Sequence, residues 1–139
     1  MKEYQRKNQW TIPADMWMKT IWTIRGYSRY RDEVYGMLGL SAVASDGQPH
    51  GSGTGDPTFR QAAELMENYS YQMIKVIDDS LALVPVEYRK GVWDNIQYHT
   101  KYPDDADRNT YGHWKQIFVV AVAMKIEKSG HQGKNKAVE

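Results

Sequence analysis

Residues 84–126 read VPVEYRKGVWDNIQYHTKYPDDADRNTYGHWKQIFVVAVAMKI, and this stretch decides the fold. Pro85 ends whatever helix precedes it and suits the start of the next, because its fixed φ and missing N–H are tolerated there. From Val86 to about His99 the apolar residues Tyr88, Val92, Trp93 and Ile96 recur at helical spacing, leaving Arg89 and Lys90 on the wet side. The segment KYPDDADRN is too polar and turn-prone to continue that helix. A further helix is expected to start with Asn109 or Thr110 as its cap and to run to about Glu127. Within it, Ile117–Met124 (IFVVAVAM) has the β-branched content of a buried strand. Helical phase nevertheless continues from Tyr111 and Trp114 through Phe118 and Val122, so the helical reading is preferred.

The result is a helix, a short polar turn, and a second helix that begins polar and becomes strongly apolar. A helix-turn-helix needs this asymmetry: the recognition helix puts its first turns into the major groove and anchors the rest in the core. Arg108, Asn109, Thr110, His113, Lys115 and Gln116 then face DNA. Of these, Asn109, His113 and Gln116 have the length and chemistry to reach base edges, whereas Arg108, Thr110 and Lys115 suit phosphates. Arg89 and Lys90 on the supporting helix join the candidate contacts, and the amino terminus of the recognition helix itself favours a phosphate oxygen. The supporting core is expected from Tyr88, Val92, Trp93, Ile96, Tyr111, Trp114, Phe118 and Val122. An ordinary helical hairpin with a polar elbow has the same spacing.

Upstream, Asp56 and Pro57 signal the start of a helix over 57–84. Its stripe Ala62, Met66, Tyr69, Met73, Val76 and Ser80, widened by Ile77 and Leu81, predicts lengthwise packing on another helix. The economical partner is the first helix, from Pro13 to about Met37 within residues 10–39, where Trp17, Ile21, Ile24, Tyr27, Tyr30, Val34 and Met37 form a stripe. The expected class is therefore all-α: two long amino-terminal helices packed antiparallel, then a helix-turn-helix over 85–127, in a single domain spanning 1–139. Residues 41–57, SAVASDGQPHGSGTGDP, have no apolar periodicity and read as a flexible loop. GSGTGD lacks the Lys of a phosphate-cradling loop. The tail over 128–139, KSGHQGKNKAVE, is Gly-broken, basic and expected to be disordered.

Composition narrows the function classes. The chain of 139 residues has no cysteine, which excludes disulfides, thiolate metal sites and cysteine nucleophiles and suits a reducing cytoplasm. Its longest apolar run, Ile117–Met124, is eight residues, so neither a secretory leader nor a membrane span is expected. The net charge of +1 hides a division: residues 1–31 carry +5, residues 108–139 carry +4, and the centre carries −8. Two basic ends brought together by folding would form one phosphate-binding face.

With these residues in view, the stretch resembles the carboxyl-terminal module of RinA-like and ArpU-like regulators of phage late genes in Gram-positive prophages, itself similar to region four of bacterial sigma factors. PVEYRKGVWDNI corresponds to the supporting helix, YPDDA to a shortened scaffold element, and TYGHWKQIF to the recognition helix. IPADMWMKTIWTIRGYSRY and DGQPHGSGTGDPT resemble the amino-terminal part of such proteins, so the likeness covers about residues 10–127. His113 stands where these relatives tend to carry Arg. The resemblance implies a non-enzymatic regulator in the bacterial cytoplasm that binds double-stranded DNA, with host RNA polymerase or another host protein as a further partner, a homodimer left open, and no cofactor or metal. Two other readings compete. Asp104, Asp105 and Asp107 with His99 and His113 have the chemistry of a divalent-metal site, although acidic residues beside a helix start are ordinarily caps. The acidic centre also suits a mobile-element inhibitor of a host nucleic-acid-handling or defence protein, of the anti-CRISPR kind, in which carboxylates imitate a phosphate backbone.

Overall fold

The computed structural model describes residues 5–39 and 59–138, and every regular element among them is helical. The helices are α1 (Ala14–Arg25), α2 (Tyr27–Met37), α3 (Phe59–Glu67), α4 (Tyr69–Leu81), α5 (Val86–Tyr98) and α6 (Arg108–Val138). The chain divides into two compact units, Met1–Arg25 with Val76–Glu139, and Gly26–Lys75.

The first unit is built on α1, α5 and α6, each packed on the other two. Asp15 in the first turn of α1 and Arg25 in its last complement the helix dipole. Its inner face carries Trp17, Ile21 and Ile24, which meet the requirement for a continuous apolar stripe at three- and four-residue steps. Val92 and Ile96 of α5, Phe118, Val119 and Val122 of α6, and Ile77 and Val84 complete a core from which water is excluded. Burial of each such side chain contributes roughly 1.5–3 kcal/mol.

The carboxyl ends of α1 and α5 satisfy one another. Arg25 Nε donates to the carbonyl of Ile96 at 2.8 Å, and Gln97 Nε2 donates to the carbonyl of Ile24 at 2.7 Å. Each helix thus supplies a donor for a terminal carbonyl that has no intrahelical partner. At the other end of α5, Pro85 serves as the N-cap position. Arg89 reaches back from the first turns of α5 to the carbonyls of Val84 and Ala82, at 2.7 and 3.2 Å.

In the second unit, Asn68 caps α4 through its side-chain oxygen, which accepts the Tyr71 N–H at 3.0 Å. Ser70 donates to a Glu33 carboxylate oxygen, and the Tyr30 and Tyr69 rings meet edge to face at 6.0 Å. Burial, followed by the neighbouring Tyr69, raises the Tyr30 phenol above its ordinary value.

Several expected boundaries shift for local reasons. The helix expected over 13–37 is interrupted at Gly26, whose φ of −79° and ψ of 3° depart from helical values. The helix expected over 57–84 is interrupted at Asn68, whose side chain bonds the next turn as a cap and competes with helix continuation. Burial in α4 follows Ser70, Met73, Ile77 and Ser80, while Tyr69 and Met66 are exposed, so the stripe is rotated from the expected one. Helical backbone in α6 runs to Val138, past the expected end at Glu127 and through the tail expected to be disordered. The loop over 41–57, with Asp56 and Pro57, lies outside the described residues.

Candidate nucleic-acid interface

The start of α6 is set by Asp107 rather than by Asn109 or Thr110. Asp107 Oδ1 accepts the backbone N–H of Asn109 at 3.0 Å, and its carbonyl accepts that of Thr110 at 2.9 Å. A carboxylate therefore already occupies the positive end of the helix, which corrects the expectation that these amides are open to a phosphate. The connection from α5 to α6 contains a turn at Asp104–Asp105 but no helical scaffold element.

Tyr111, in the first turns of α6, fixes that helix on α5. It is 1% exposed, its hydroxyl donates to Asp105 Oδ1 at 2.5 Å, and its ring stacks on Tyr102 at 5.1 Å and meets the edge of Tyr88 at 5.3 Å. Burial, then the hydrogen bond to Asp105, pushes its phenol up to about 12. Gly91 of α5 makes this approach feasible, since a Cβ there would lie 2.6 Å from Tyr111 Cε1 and 2.8 Å from Pro103 Cδ. Further along, Trp93 packs on the fully buried Phe118 at 6.4 Å, and Val92, Ile96 and Val122 are buried as expected from the apolar phase. Trp114 is half-buried, with its ring 4.9 Å from that of His113.

Arg108, Asn109 and His113 are exposed on the leading turns, and Thr110 is half-buried. Lys115 is half-buried and donates through Nζ to Asn95 Oδ1 at 2.8 Å. Lys90 is exposed and paired with Asp94 at 2.7 Å, one helical turn away. Arg89 is engaged in capping the end of α4, which corrects its assignment to DNA.

Gln116 is also corrected. It is 1% exposed, and its amide is tied to the amino-terminal segment. Gln116 Oε1 accepts from Asn8 Nδ2 at 2.9 Å, while Gln116 Nε2 donates to the Arg6 carbonyl at 3.0 Å and to Asn8 Oδ1 at 3.1 Å. A side chain with its donor and acceptor satisfied inside the fold has nothing left for a base edge.

The same bonds place the basic amino terminus beside the leading turns of α6. Arg6 Nη1 donates to the carbonyl of Asn109 at 2.9 Å, with Lys7 exposed next to it. The segment is held in shape locally: Gln5 both donates to the Ile12 carbonyl and accepts the Ile12 N–H, at 2.7 and 2.8 Å, and Thr11 closes on Asn8. From the charge pattern the meeting of the two basic ends is only a condition, and Arg6 and Asn8 do not stand out as the residues that join them. No local pattern marks these two, because their partners lie more than a hundred positions along the chain.

The turn carboxylates have structural duties at Asp105 and Asp107, and no group of three metal-ligating side chains converges among the described residues. No helix among them is long and apolar enough to cross a membrane. No family model matches the chain, and neither curated proteins nor solved structures show a match to it.

Proposed function

We propose that this protein binds double-stranded DNA as a transcription regulator of the phage late-gene type, with α5 as the supporting helix, α6 as the recognition helix, and no catalytic step. The observation that carries this reading is the asymmetry of α6. Its leading turns leave Arg108, Asn109 and His113 in solvent, while Phe118, Val119 and Val122 anchor its later turns in the core. A helix held in this way can enter a major groove without losing its own packing. Arg6 and Lys7 beside those turns supply backbone-directed charge, and His113 and Asn109 supply hydrogen-bonding groups of a length suited to base edges.

The likeness to sigma region four belongs to this proposal, with the turn around Asp104–Asp105 standing where a scaffold helix would lie. So does the antiparallel pairing of the two amino-terminal helical stretches, and with it a homodimer or a contact with host RNA polymerase. The test is selection of bound duplexes from a pool containing the gene's own genomic neighbourhood. The expected result is enrichment of one site by the wild type, a changed preference for His113→Ala and Asn109→Ala, and a uniform loss across sequences for Arg108→Ala. Equal losses on selected and random duplexes for all three variants would refute these roles.

A further inference from the structure

The helical hairpin over 86–116 carries no net charge. Its five Lys and Arg are balanced by five Asp and Glu, three of which, Asp104, Asp105 and Asp107, stand at the turn itself. Asp105 and Asp107 accept hydrogen bonds from neutral groups and so keep their charge. Of the cations nearby, Arg25 lies at the carboxyl end of α5, bonded to the Ile96 carbonyl. Lys125 lies about 20 Å along α6 from Thr110, beyond a screening length of about 10 Å at 0.1 M salt. The segment over 5–12 is different: it holds Arg6 and Lys7, has no carboxylate, and lies beside the leading turns.

This segment is a closed loop. Its base is the paired bonding of Gln5 with Ile12. Inside it, Asn8 Oδ1 accepts the Trp10 N–H at 2.8 Å, the Asn8 carbonyl accepts the Thr11 N–H at 3.1 Å, and Thr11 Oγ1 donates to the Arg6 carbonyl at 3.1 Å. The Asn8 side chain thus shapes the turn and also pins it to α6. Its amide and that of Gln116 exchange one bond in each direction, and Gln116 Nε2 adds a third bond to the Arg6 carbonyl. Gln116 is 1% exposed, whereas Arg6, Lys7 and Asn8 are exposed. Beyond the pin, Trp10 lies beside Ile117, Val120 and Ala121 but is itself 52% exposed, which leaves the polar bonds as the firmer attachment. Arg6 and Lys7 sit between the closed base and the pin, where both ends of their short stretch are fixed.

We propose that Gln116 and Asn8 are a positioning pair for DNA binding: they hold the loop so that Arg6 and Lys7 meet the DNA backbone, and thereby give a charge-balanced hairpin its attraction for the duplex. This inference rests on the DNA-binding reading. Gln116 itself reads no base and touches no phosphate. Without its amide, the Arg6 carbonyl and the Asn8 side chain regain partners only by leaving α6 for water. A released loop keeps its two charges but must be ordered again to place them on phosphates, so it contributes less to binding.

The test compares the full-length wild type with Gln116→Met, Arg6→Gln/Lys7→Gln and the three changes combined. Methionine matches glutamine in length and closely in helix propensity, and it has no donor. Loop docking is read without DNA, as the rate of tryptic cleavage after Arg6 and Lys7 in the wild type and Gln116→Met. Duplex binding is read by anisotropy at several salt concentrations, below the onset of melting for every chain, where lost stability alone does not move the salt slope. Cleavage is expected to be severalfold faster in Gln116→Met. Its slope should fall by about 1.8, roughly 0.9 for each phosphate no longer neutralised, with sequence preference unchanged. Arg6→Gln/Lys7→Gln should lower the slope by the same amount in the wild type and by little in Gln116→Met, because the two changes act through one contact. Asn8→Ala, at an exposed position, opens no cavity and should move both readouts in the same direction.

Unchanged cleavage in Gln116→Met and Asn8→Ala overturns the pin. Faster cleavage with an unchanged slope, or slope losses that simply add, overturns the positioning role and leaves the DNA-binding reading standing. A wild type that binds no duplex overturns that reading and the positioning role with it, while the cleavage rates still show whether the pin exists.

Discussion

Gly91→Ala tests how α5 and α6 are docked. In an unobstructed helix the change would stabilise by about 1 kcal/mol, since alanine has the better helix propensity. Here the new methyl carbon would lie 2.6 Å from Tyr111 Cε1 and 2.8 Å from Pro103 Cδ, roughly an ångström inside ordinary contact on two sides. Neither neighbour can retreat easily. Proline is rigid, and Tyr111 is held by Tyr102, by Tyr88 and by its hydrogen bond to Asp105. Overpacking of this kind costs about 1–3 kcal/mol, and the upper end applies, which leaves a net destabilisation of about 2 kcal/mol after the propensity gain. Each kcal/mol shifts Tm by about 4–8 °C in a unit of this size, so a fall of roughly 10 °C is expected by calorimetry or circular dichroism. Gly36→Ala is the internal control, because nothing lies within 4 Å of the position its Cβ would take, and it should hold or raise stability. A Gly91→Ala protein as stable as the wild type would refute the close docking of α6 on α5.

Other outcomes rest on single side chains. Ser80 Oγ is buried without a hydrogen-bond partner, so Ser80→Ala should raise stability by about 1 kcal/mol in urea denaturation, and a loss of that size would show that the hydroxyl is satisfied. Tyr111, with its phenol pushed up to about 12, stays neutral in the folded chain after the unfolded chain has begun to ionise near pH 10. Its contribution to stability is complete below about pH 10 and is lost as pH rises toward about 12, and Tyr111→Phe should flatten that part of the stability profile. Arg25→Ala and Gln97→Ala should each cost about 1 kcal/mol, because each leaves a terminal carbonyl without its donor. A thermal melt unchanged by either would mean that water replaces the side chain at no cost. Gln116→Ala should lower stability without altering any sequence preference in DNA binding, the reverse of what a base-reading residue would do.

The helical character of the chain is legible because apolar residues recur at helical steps, even through IFVVAVAM, where β-branched residues point the other way but the phase from Tyr111 to Val122 does not break. The extent of α5 is legible for a different reason, Pro85 fixing its start. The interruptions at Gly26 and Asn68 are not, since the apolar stripes cross both positions; Gly26 leaves the helical region at φ −79° and ψ 3°, and Asn68 caps the next helix with its side chain. The cap of α6 lies among neighbouring polar candidates, Asp107, Asn109 and Thr110, and only the geometry selects among them. Gln116 shows the limit of reading a site from one helix: its spacing fits an outward-facing reader, yet its partners Arg6 and Asn8 come from the opposite end of the sequence and bury it. Nothing in the spacing of α5 marks Gly91 as the point where Tyr111 comes closest.

The most direct measurement is fluorescence anisotropy of a labelled duplex from the gene's own neighbourhood, titrated with the full chain at several salt concentrations. With Arg6, Lys7 and Arg108 on the backbone, three phosphates neutralised are expected to give a log Kd against log salt slope of about 2.7, with the neighbourhood duplex bound more tightly than a scrambled one. No binding at about 50 mM salt, or an affinity indifferent to salt between about 50 and 200 mM, would contradict a DNA-binding role for α6.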